Sequence, residues 1–490
     1  MRNGVQLITY VDRFGGGGIS DVHELLDGPL AGAFTGVHLL PFYLPFDGQD
    51  AGFDPIDHCV VDPRLGTWDD LANLAQSFDV TADLIVNHIS DKSPQFEDFI
   101  RRGSASSSAG MFLEYDSVFP NGATQGDLLA IYRPRPGLPF TVVAMGGGSK
   151  RLMWTTFTSH QIDLDTRSTQ ARSYLTDILD RLSTAGVREV RLDAVGYAAK
   201  TPGTSSFMTA DTFELISELM ADVHARGMEG LLEIHSHFSD QLEMSAVADH
   251  VYDFALPPLV LHGLYTGSAK PLRQWFEMSP RNAITVLDTH DGIGVIDAGP
   301  SGDLAGLLTG DQIDELVDGI AKSTNGESVA ATGTAASNLD LYQVNSTYFS
   351  ALGCDEDKYL IARLIQFLAP GIPQVYYAGL LAASNDTTLL EQTGVGRDIN
   401  RPRYTLSEVA NELNRPVVRR LIALARFRNT HPAFNGTFSS PPDEDHVLHM
   451  SWTNDNASLD ARVDVADASF RLDHSDGHGD QQTITNWDQF

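Results

Sequence analysis

The sequence is poor in cysteine and in basic residues. Cys59 and Cys354 are its only cysteines in 490 residues, which argues against a disulfide framework and against a cysteine-based zinc site. Lysine and arginine together number 33, against 65 aspartates and glutamates, so the net charge is −32. Such acidity argues against a nucleic-acid or anionic-membrane partner, because both require a basic surface on the protein.

Long apolar runs are missing as well. No segment reaches the length of a transmembrane helix, and the first residues, MRNGVQLITYVDRF, lack the pattern of a signal peptide. We therefore expect a cytoplasmic protein without a membrane partner. The glycine clusters at 15–18 and 146–148 match neither dinucleotide-binding nor P-loop spacing, so we expect flexible loops there and no cofactor.

Short β-rich runs alternate with helical patterns along most of the chain. Strands separated by helix-length segments are typical of βα units with parallel strands, and eight such units predict an α/β protein with a closed (β/α)₈ TIM barrel. The eight runs are VQLITYV, GVHLLPFY, TADLIVNH, VREVRLDAV, GLLEIHSH, VYDFALP, NAITVLDTHD and GIPQVYYAG.

Two segments are too long for simple βα loops, and the pattern changes to period-two alternation near the C-terminus. We predict two inserted loop subdomains, one after the third strand and one after the seventh, and a small C-terminal antiparallel β domain. The predicted division is a barrel of residues 1–88, 169–291 and 357–434, insertions at 89–168 and 292–356, and the β domain at 435–490.

Polar residues collect where four of the predicted strands end. A single charged residue in that position is more often an ion pair or a helix N-cap. Four successive pairs at the C-terminal end of a barrel, where active sites lie, instead predict a functional site. The pairs are Asn87 and His88, Arg191 and Asp193, Glu233 and His235, and His290 and Asp291.

Three carboxylates in unequal surroundings suit glycosyl transfer. Asp193 lies two residues after Arg191, hence on the same side of a strand, and we expect this guanidinium to keep it ionised as the nucleophile. Glu233, within the apolar run LLEI, is expected to stay protonated and to act as the acid. Asp291, beside His290, is expected to stabilise the transition state.

At this point the chain resembles the α-amylase superfamily, glycoside hydrolase family 13, and within it the phosphorylases that act on sucrose. The likeness runs from the first residues to about Phe434. The motifs that carry the superfamily are DLIVNH, VRLDAV, LLEIHS and VLDTHD. The longer segments that carry the phosphorylase branch are FDGQDAGFDPIDH, IYRPRPGLPF, ALPPLVLHGL, ASNLDLYQVNSTY and GRDINR.

The resemblance implies the same three catalytic carboxylates and a set of sugar-binding residues. The residues implied to hold the glucosyl unit are Asp50, His88, Arg191, His290 and Arg397, with Phe53 as an aromatic platform. Those implied for the acceptor side are Arg135, Tyr197, His235, Asp340, Leu341, Tyr342 and Gln343. Without the resemblance, Phe53 would equally well be a core aromatic.

Calcium-binding members of the superfamily use an asparagine like Asn87 with partners in the inserted subdomain. Phosphorylases of this branch generally do without calcium, and the first insertion has no second acidic cluster, so we expect no metal. Members of the branch are often homodimers, which makes a homodimer one expected assembly.

An anionic acceptor needs a cation in so acidic a protein. Arg135 stands between two prolines that stiffen its loop, and its planar fork suits phosphate, with His235 assisting. The alternative is an ordinary surface arginine. Fructose and phosphate must use the same space in turn, so we expect the loop NLDLYQ at 338–343 to rearrange between half-reactions.

The expected reaction is a retaining double displacement from sucrose to inorganic phosphate, giving α-glucose 1-phosphate and fructose, with catalytic carboxyls about 5–5.5 Å apart. A first alternative is a phosphorylase of a related α-glucoside, such as sucrose 6′-phosphate, glucosylglycerol or glucosylglycerate. Further alternatives are a plain α-glucoside hydrolase and a sugar-binding barrel without activity.

Overall fold

The computed structural model describes residues 1–47, 50–134, 137–333, 343–479 and 481–490. Eight parallel strands form a closed barrel, in which the first strand in the chain is hydrogen-bonded to the eighth and the others follow in reverse chain order down to the second. The predicted eight-stranded α/β barrel is therefore confirmed. The strands are β1 (Gln6–Thr9), β2 (Gly36–Leu39), β3 (Asp79–Ile85), β4 (Glu189–Asp193), β5 (Glu229–Leu232), β6 (His250–Asp253), β7 (Ala283–Thr285) and β8 (Ile372–Tyr376).

Strand β4 shows how the barrel fixes side-chain positions. It pairs in parallel with β3 and with β5, so that Arg191 stands opposite Asp83 on one side and Leu231 on the other. All five β4 residues are buried. Because side chains alternate along a strand, Arg191 and Asp193 point to the same side, as predicted.

The chain folds into two compact units, which we call the terminal unit and the central unit. The terminal unit comprises Met1–His38, His235–Ala246 and His250–Phe490, and the central unit comprises Leu39–Ile234 and Val247–Asp249. Asp193 and Glu233 belong to the central unit, and Asp291 belongs to the terminal unit. The domain boundaries expected from the sequence stay a prediction.

The central unit carries a hydrophobic cluster of its own inside the segment predicted to be the first insertion. Trp154, Phe119 and Leu113 are buried in this cluster together with Val118 and Ile131. The α-helices of the unit are Trp68–Leu74, Pro94–Arg102, Tyr115–Val118, Gln125–Ala130, Thr169–Thr184 and Ala210–His224. Its short antiparallel strand pairs are Tyr43–Pro45 with Pro55–Val61, His88–Ser90 with Gln161–Asp163, and Phe140–Ala144 with Lys150–Trp154.

The terminal unit holds most of the remaining helices. They are Ile19–Asp27, Phe238–Met244, Leu256–Thr266, Lys270–Met278, Gly310–Ser323, Glu327–Thr332, Tyr348–Ala351, Glu356–Leu368, Tyr377–Leu380, Thr387–Thr393, Leu406–Glu412 and Pro416–Thr430. Its short strand pairs are Phe14–Gly15 with Tyr404–Thr405 and Ile293–Gly294 with Gln343–Val344.

A five-stranded antiparallel sheet closes the terminal unit, as the period-two alternation predicted. Leu448, Met450 and Trp452 alternate along one of its strands and are buried, and the Trp452 indole nitrogen donates to the Leu368 carbonyl at 2.8 Å. The strands, in sheet order, are β9 (Thr437–Ser439), β10 (Val447–Asn454), β11 (Ala457–Asp464), β12 (Ser469–Ser475) and β13 (Gln482–Ile484).

Both cysteines are free thiols, Cys59 half-buried and Cys354 exposed. Within the described part of the chain, no helix is long and apolar enough to cross a membrane.

Candidate active site

A guanidinium with two carboxylate partners lies at the end of β4. Arg191 Nη1 donates to Asp193 Oδ1 at 2.7 Å and to Asp83 Oδ1 at 2.5 Å. All three side chains are buried, Arg191 and Asp83 almost completely. The predicted ion pair between Arg191 and Asp193 is confirmed, and Asp83 is a second partner.

Glu233 lies near the same guanidinium and is held there by the backbone N–H of Ala194. Ala194, directly after Asp193, has left-handed φ and ψ angles of 53° and 21°. This conformation ends the strand, and the Ala194 N–H donates to Glu233 Oε2 at 3.1 Å. The other Glu233 oxygen, Oε1, lies 3.7 Å from Arg191 Nη2. The structure therefore brings Asp193 and Glu233 together around Arg191.

The charge balance of this cluster differs from the expectation. Burial raises the pKa of Asp193 well above its usual value, Arg191 opposes that rise, and Glu233 and Asp83 add to it. The direction of this shift is opposite to the expectation that Arg191 keeps Asp193 ionised, because one cation faces three carboxylates in a buried site. In these surroundings Asp193 is easier to protonate than an exposed aspartate.

Three of the predicted glucosyl-binding residues lie together in the central unit. Gln161 Nε2 donates to Asp50 Oδ2 at 2.7 Å and lies 3.1 Å from His88 Nε2, which in turn is 2.9 Å from the Phe53 carbonyl oxygen. Burial lowers the pKa of His88. The buried Phe53 ring has its centroid 5.5 Å from the Arg191 guanidinium carbon. Gln161 had no assigned role in the sequence.

Tyr197, predicted for the acceptor side, is held in an aromatic cluster. Its ring centroid is 4.6 Å from that of Phe207, 5.1 Å from that of Phe157 and 6.2 Å from that of Tyr132. The side chain is 7% exposed. Its ring is therefore fixed on several sides before any ligand arrives.

A buried ammonium group lies beneath this tyrosine. Lys200 Nζ donates to the Tyr197 carbonyl and to Asn87 Oδ1, at 2.9 Å for the latter, and forms an ion pair of 2.9 Å with Asp163 Oδ2. Burial lowers the pKa of Lys200. The asparagine that the resemblance connects with calcium in other family members thus binds a lysine ammonium here. Lys200 carried no signal in the sequence analysis.

The third predicted carboxylate, Asp291, lies in the terminal unit among cations. Arg397 Nη1 is 2.7 Å from Asp291 Oδ1, His290 Nε2 is 3.7 Å from it, and Arg401 Nη2 is 3.9 Å from it. Burial by itself raises the pKa of Asp291, but Arg397, His290, Arg401 and His235 outweigh it and hold this pKa far below its usual range. Asp291 is therefore a fixed anion.

Two further residues of the GRDINR run position this carboxylate. Arg401 is fully buried and donates from Nε to the His290 carbonyl at 3.0 Å. Asn400 Nδ2 donates to the Asp291 carbonyl at 2.7 Å. The second arginine of the quoted motif was the signal that could have found Arg401.

His235 and Gln343, both predicted for the acceptor side, face each other in the terminal unit. His235 Nε2 lies 3.3 Å from Gln343 Nε2, and Gln343 Oε1 accepts from Arg397 Nη2 at 3.3 Å. The other imidazole nitrogen, Nδ1, lies 3.2 Å from Oδ2 of the fully buried Asp297. Asp297 was missed in the sequence, where it follows the last strand-end motif by several residues.

Four predicted acceptor-side residues fall outside the described residues, and so does most of the 338–343 loop. The predictions of a phosphate-binding guanidinium and of a rearranging loop therefore stay predictions. These four residues are Arg135, Asp340, Leu341 and Tyr342.

The alpha-amylase catalytic-domain family matches residues 32–253. The chain is 57% identical to the sucrose phosphorylase of Agrobacterium vitis, over 92% of this chain and 93% of that protein. It is 53% identical to the sucrose phosphorylase of Bifidobacterium adolescentis, over 93% of this chain and 91% of that protein. Identity to the glucosylglycerol phosphorylase of Marinobacter adhaerens is 38%, over 97% of both chains.

A solved structure is similar along the whole chain. The sucrose 6F-phosphate phosphorylase from Thermoanaerobacter thermosaccharolyticum superposes with a TM-score of 0.91 and 36% identity, covering 99% of this chain and 98% of that one.

Proposed function

The chain belongs to the sucrose phosphorylase family, whose members carry the alpha-amylase catalytic domain, and from this premise we propose that it transfers a glucosyl group from sucrose to inorganic phosphate. The products are α-glucose 1-phosphate and fructose. The observation that carries the proposal is the identity of more than half over nine-tenths of the chain to two sucrose phosphorylases.

In the first half-reaction, Asp193 attacks the anomeric carbon while Glu233 gives a proton to the departing fructosyl oxygen. Both carboxyls interact with Arg191, which is hydrogen-bonded to Asp193 and lies 3.7 Å from Glu233. The proposed step requires Asp193 to be ionised and Glu233 to carry the proton when sucrose is bound. Retention requires these carboxyls to lie about 5–5.5 Å apart.

In the second half-reaction, phosphate attacks the glucosyl group held by Asp193 and restores the anomeric configuration of the substrate. The transition states carry positive charge on the sugar ring. Asp291 opposes that charge, and the low pKa that Arg397, His290 and Arg401 impose supports its role as a permanent anion. Asp50, Phe53 and His88 hold the glucosyl unit in this proposal.

The test is fructose release from sucrose with and without phosphate, with the configuration of the sugar phosphate identified. We expect phosphate-dependent release and α-glucose 1-phosphate. Asp193→Asn serves as the inactive reference, and Glu214→Gln, an exposed residue of the helix Ala210–His224, serves as the matched control. Fructose release at the same rate without phosphate would contradict the proposal and favour a hydrolase.

A second candidate is a phosphorylase of a related glucoside, which the likeness to the glucosylglycerol and sucrose 6F-phosphate phosphorylases favours. The reverse reaction separates the candidates. With α-glucose 1-phosphate as donor, we expect phosphate release with fructose to exceed that with fructose 6-phosphate, glycerol or glycerate. A higher rate with any of these three acceptors would assign the protein to that substrate instead.

We also propose that the protein works in the cytoplasm as a homodimer. Its two free cysteines suit a reducing compartment. Sedimentation velocity at micromolar concentration, with the expected mass of two chains, tests the dimer. Activity that survives dialysis against a chelator is the expected result for a protein without a catalytic metal.

A further inference from the structure

Asp297 is a fully buried carboxylate that the proposed mechanism does not use. It lies in the 3₁₀ turn Ile296–Ala298 of the terminal unit. Its Oδ2 is 3.2 Å from His235 Nδ1, and its Oδ1 accepts from the Ser236 N–H at 3.3 Å and from Gln241 Nε2 at 3.1 Å. Burial raises the pKa of Asp297, while His235 and the Ser236 N–H oppose that rise. An ionised carboxylate only accepts hydrogen bonds, so we assign the hydrogen of this contact to His235 Nδ1.

Gly294 leaves room for the contact between Asp297 and His235, because it has no side chain. A Cβ atom on Gly294 would lie 2.5 Å from Asp297 Oδ2 and 3.5 Å from His235 Nδ1. The face of the imidazole is held as well, because the His235 and Phe254 rings stack with centroids 3.8 Å apart and planes 17° apart. The ring therefore has a defined position, with its Nδ1 edge on Asp297 and its Nε2 edge toward Gln343.

The charged groups around the imidazole come from several segments. Asp297 contacts Nδ1. The charge of His235 also lowers the pKa of Asp291, which lies in the segment after β7. Arg397 reaches the far side of Gln343 and turns the nitrogen of that amide toward the ring. Glu233 precedes His235 by two residues. The buried carboxylate of Asp253, at the end of β6, interacts electrostatically with Asp297.

We propose that Asp297 is a positioning residue that keeps the Nε2 edge of His235 turned to the acceptor subsite and stabilises the imidazolium when phosphate binds there. The inference rests on the proposed function, which defines that subsite. A carboxylate in contact with an imidazole favours its protonated form. Nε2 of the neutral ring accepts a hydrogen bond from a hydroxyl group of fructose, whereas Nε2–H of the protonated ring donates a hydrogen bond to phosphate.

Every proton in this step has a donor and an acceptor. Dihydrogen phosphate gives one proton to His235 Nε2 and remains bound as the dianion. When glucose 1-phosphate leaves, that proton restores the one that Glu233 gave to fructose. No other reactant is needed, and one group can serve two acceptors of different charge.

The test compares Asp297→Asn with Asp253→Asn. Asp253 is a second fully buried aspartate, and it accepts from the Trp275 indole at 3.0 Å. We expect Asp297→Asn to raise the phosphate KM about tenfold or more, since a charge-assisted hydrogen bond is weakened. The sucrose KM and the rate of hydrolysis without phosphate should stay within about twofold of wild type.

The pH profile separates a positioning role from a structural one. In Asp297→Asn, the rise of the phosphate KM toward alkaline pH should begin at a lower pH than in wild type. Asp253→Asn, which does not remove the hydrogen bond to the imidazole, should shift that profile much less than Asp297→Asn. A fall in every kinetic parameter together, or an unchanged phosphate KM, would overturn the inference.

A measurement on the wild type covers the case in which Asp297→Asn fails to fold. Nitrogen NMR of histidine-labelled protein, taken as the difference from His235→Gln, should show the Nδ1–H form without ligand and the doubly protonated form with phosphate. An Nε2–H form would overturn the inference. A wild type without phosphate-dependent fructose release would instead contradict the proposed function itself.

Discussion

Two buried aspartates of this protein stand in opposite electrostatic surroundings. Asp193, in the central unit, shares one guanidinium with Asp83 and Glu233, and its pKa is raised. Asp291, in the terminal unit, is a single carboxylate near two arginines and two histidines, which together lower its pKa. Both are buried to a similar degree. The number of charges within reach, rather than burial or the nearest partner, decides the direction of the shift.

The difference separates two chemical tasks. A cluster with more carboxylates than cations can hold a proton and pass it on, whereas a carboxylate with more cations than it needs stays charged throughout. Acid catalysis with a neighbouring nucleophile requires the first arrangement. Stabilising a positive transition state requires the second.

The largest effect is expected from removing the proposed nucleophile. Asp193→Asn should reduce phosphorolysis of sucrose about 10⁴-fold or more, as substitution of a covalent catalyst does, while the circular dichroism spectrum stays that of wild type. Initial fructose release measures it. Activity within tenfold of wild type would remove Asp193 from the nucleophile's role.

Removing one cation from each cluster tests the comparison directly. Arg191→Met leaves buried carboxylates uncompensated and should lower the free energy of unfolding by about 3–5 kcal/mol. Arg397→Met removes one of several cations from a partly exposed position, 23% for the side chain, and should cost about 1 kcal/mol or less.

Urea unfolding of both variants measures these free energies, and Arg191→Lys, which keeps the charge, is the control for Arg191→Met. Equal losses for Arg191→Met and Arg397→Met would mean that the cation count does not distinguish the clusters.

The two aspartates should also respond to pH with opposite signs. A raised pKa in the folded state stabilises at low pH, and this contribution is lost as the pH rises through the folded value. A lowered pKa stabilises above the unfolded value and is lost as the pH falls through the folded value. At pH 7, Asp193→Asn should therefore raise the melting temperature by a few degrees, and Asp291→Asn should lower it by a similar amount.

Thermal unfolding at pH 7 and at pH 4 measures both. At pH 4 the gain from Asp193→Asn should shrink, because the wild-type carboxyl is then protonated in the folded state. Shifts of the same sign for the two variants at pH 7 would contradict the assigned directions.

The smallest effect belongs to an exposed pair. Asp488 accepts from Arg420 Nε at 2.9 Å at the surface. Solvent screens this pair, so Asp488→Asn should leave the melting temperature unchanged within experimental error. A loss of melting temperature as large as that of Asp291→Asn would show that solvent exposure does not weaken this ion pair.

The barrel and the three carboxylates follow from local patterns in the sequence. Apolar runs of strand length marked all eight barrel strands, and alternation along one strand placed Arg191 beside Asp193. Asp83 could not be found in this way, because it meets Arg191 through the register between two strands 108 residues apart in sequence. Burial and Glu233 raise the pKa of Asp193, and this unseen neighbour adds to the rise.

Local sequence patterns do not predict the roles of Lys200 and Asp297, for a related reason. Each lies beyond a recognisable motif, in a turn or loop whose path the local pattern does not determine. Their partners, Asp163 for the lysine and His235 for the aspartate, come from other segments of the chain. Buried ion pairs between distant segments are a product of tertiary folding, so composition and periodicity do not reveal them.

The backbone at Ala194 limits which side chains fit next to Asp193, the proposed nucleophile. Its φ of 53° is sterically accessible to alanine, glycine or asparagine, but a β-branched side chain would be strained there. Libraries that widen the substrate range should therefore leave this position small. A valine at 194 would favour an extended backbone and turn the 194 amide away from Glu233. The proposed proton donor would then lose the hydrogen bond from this amide, although no carboxylate had been changed.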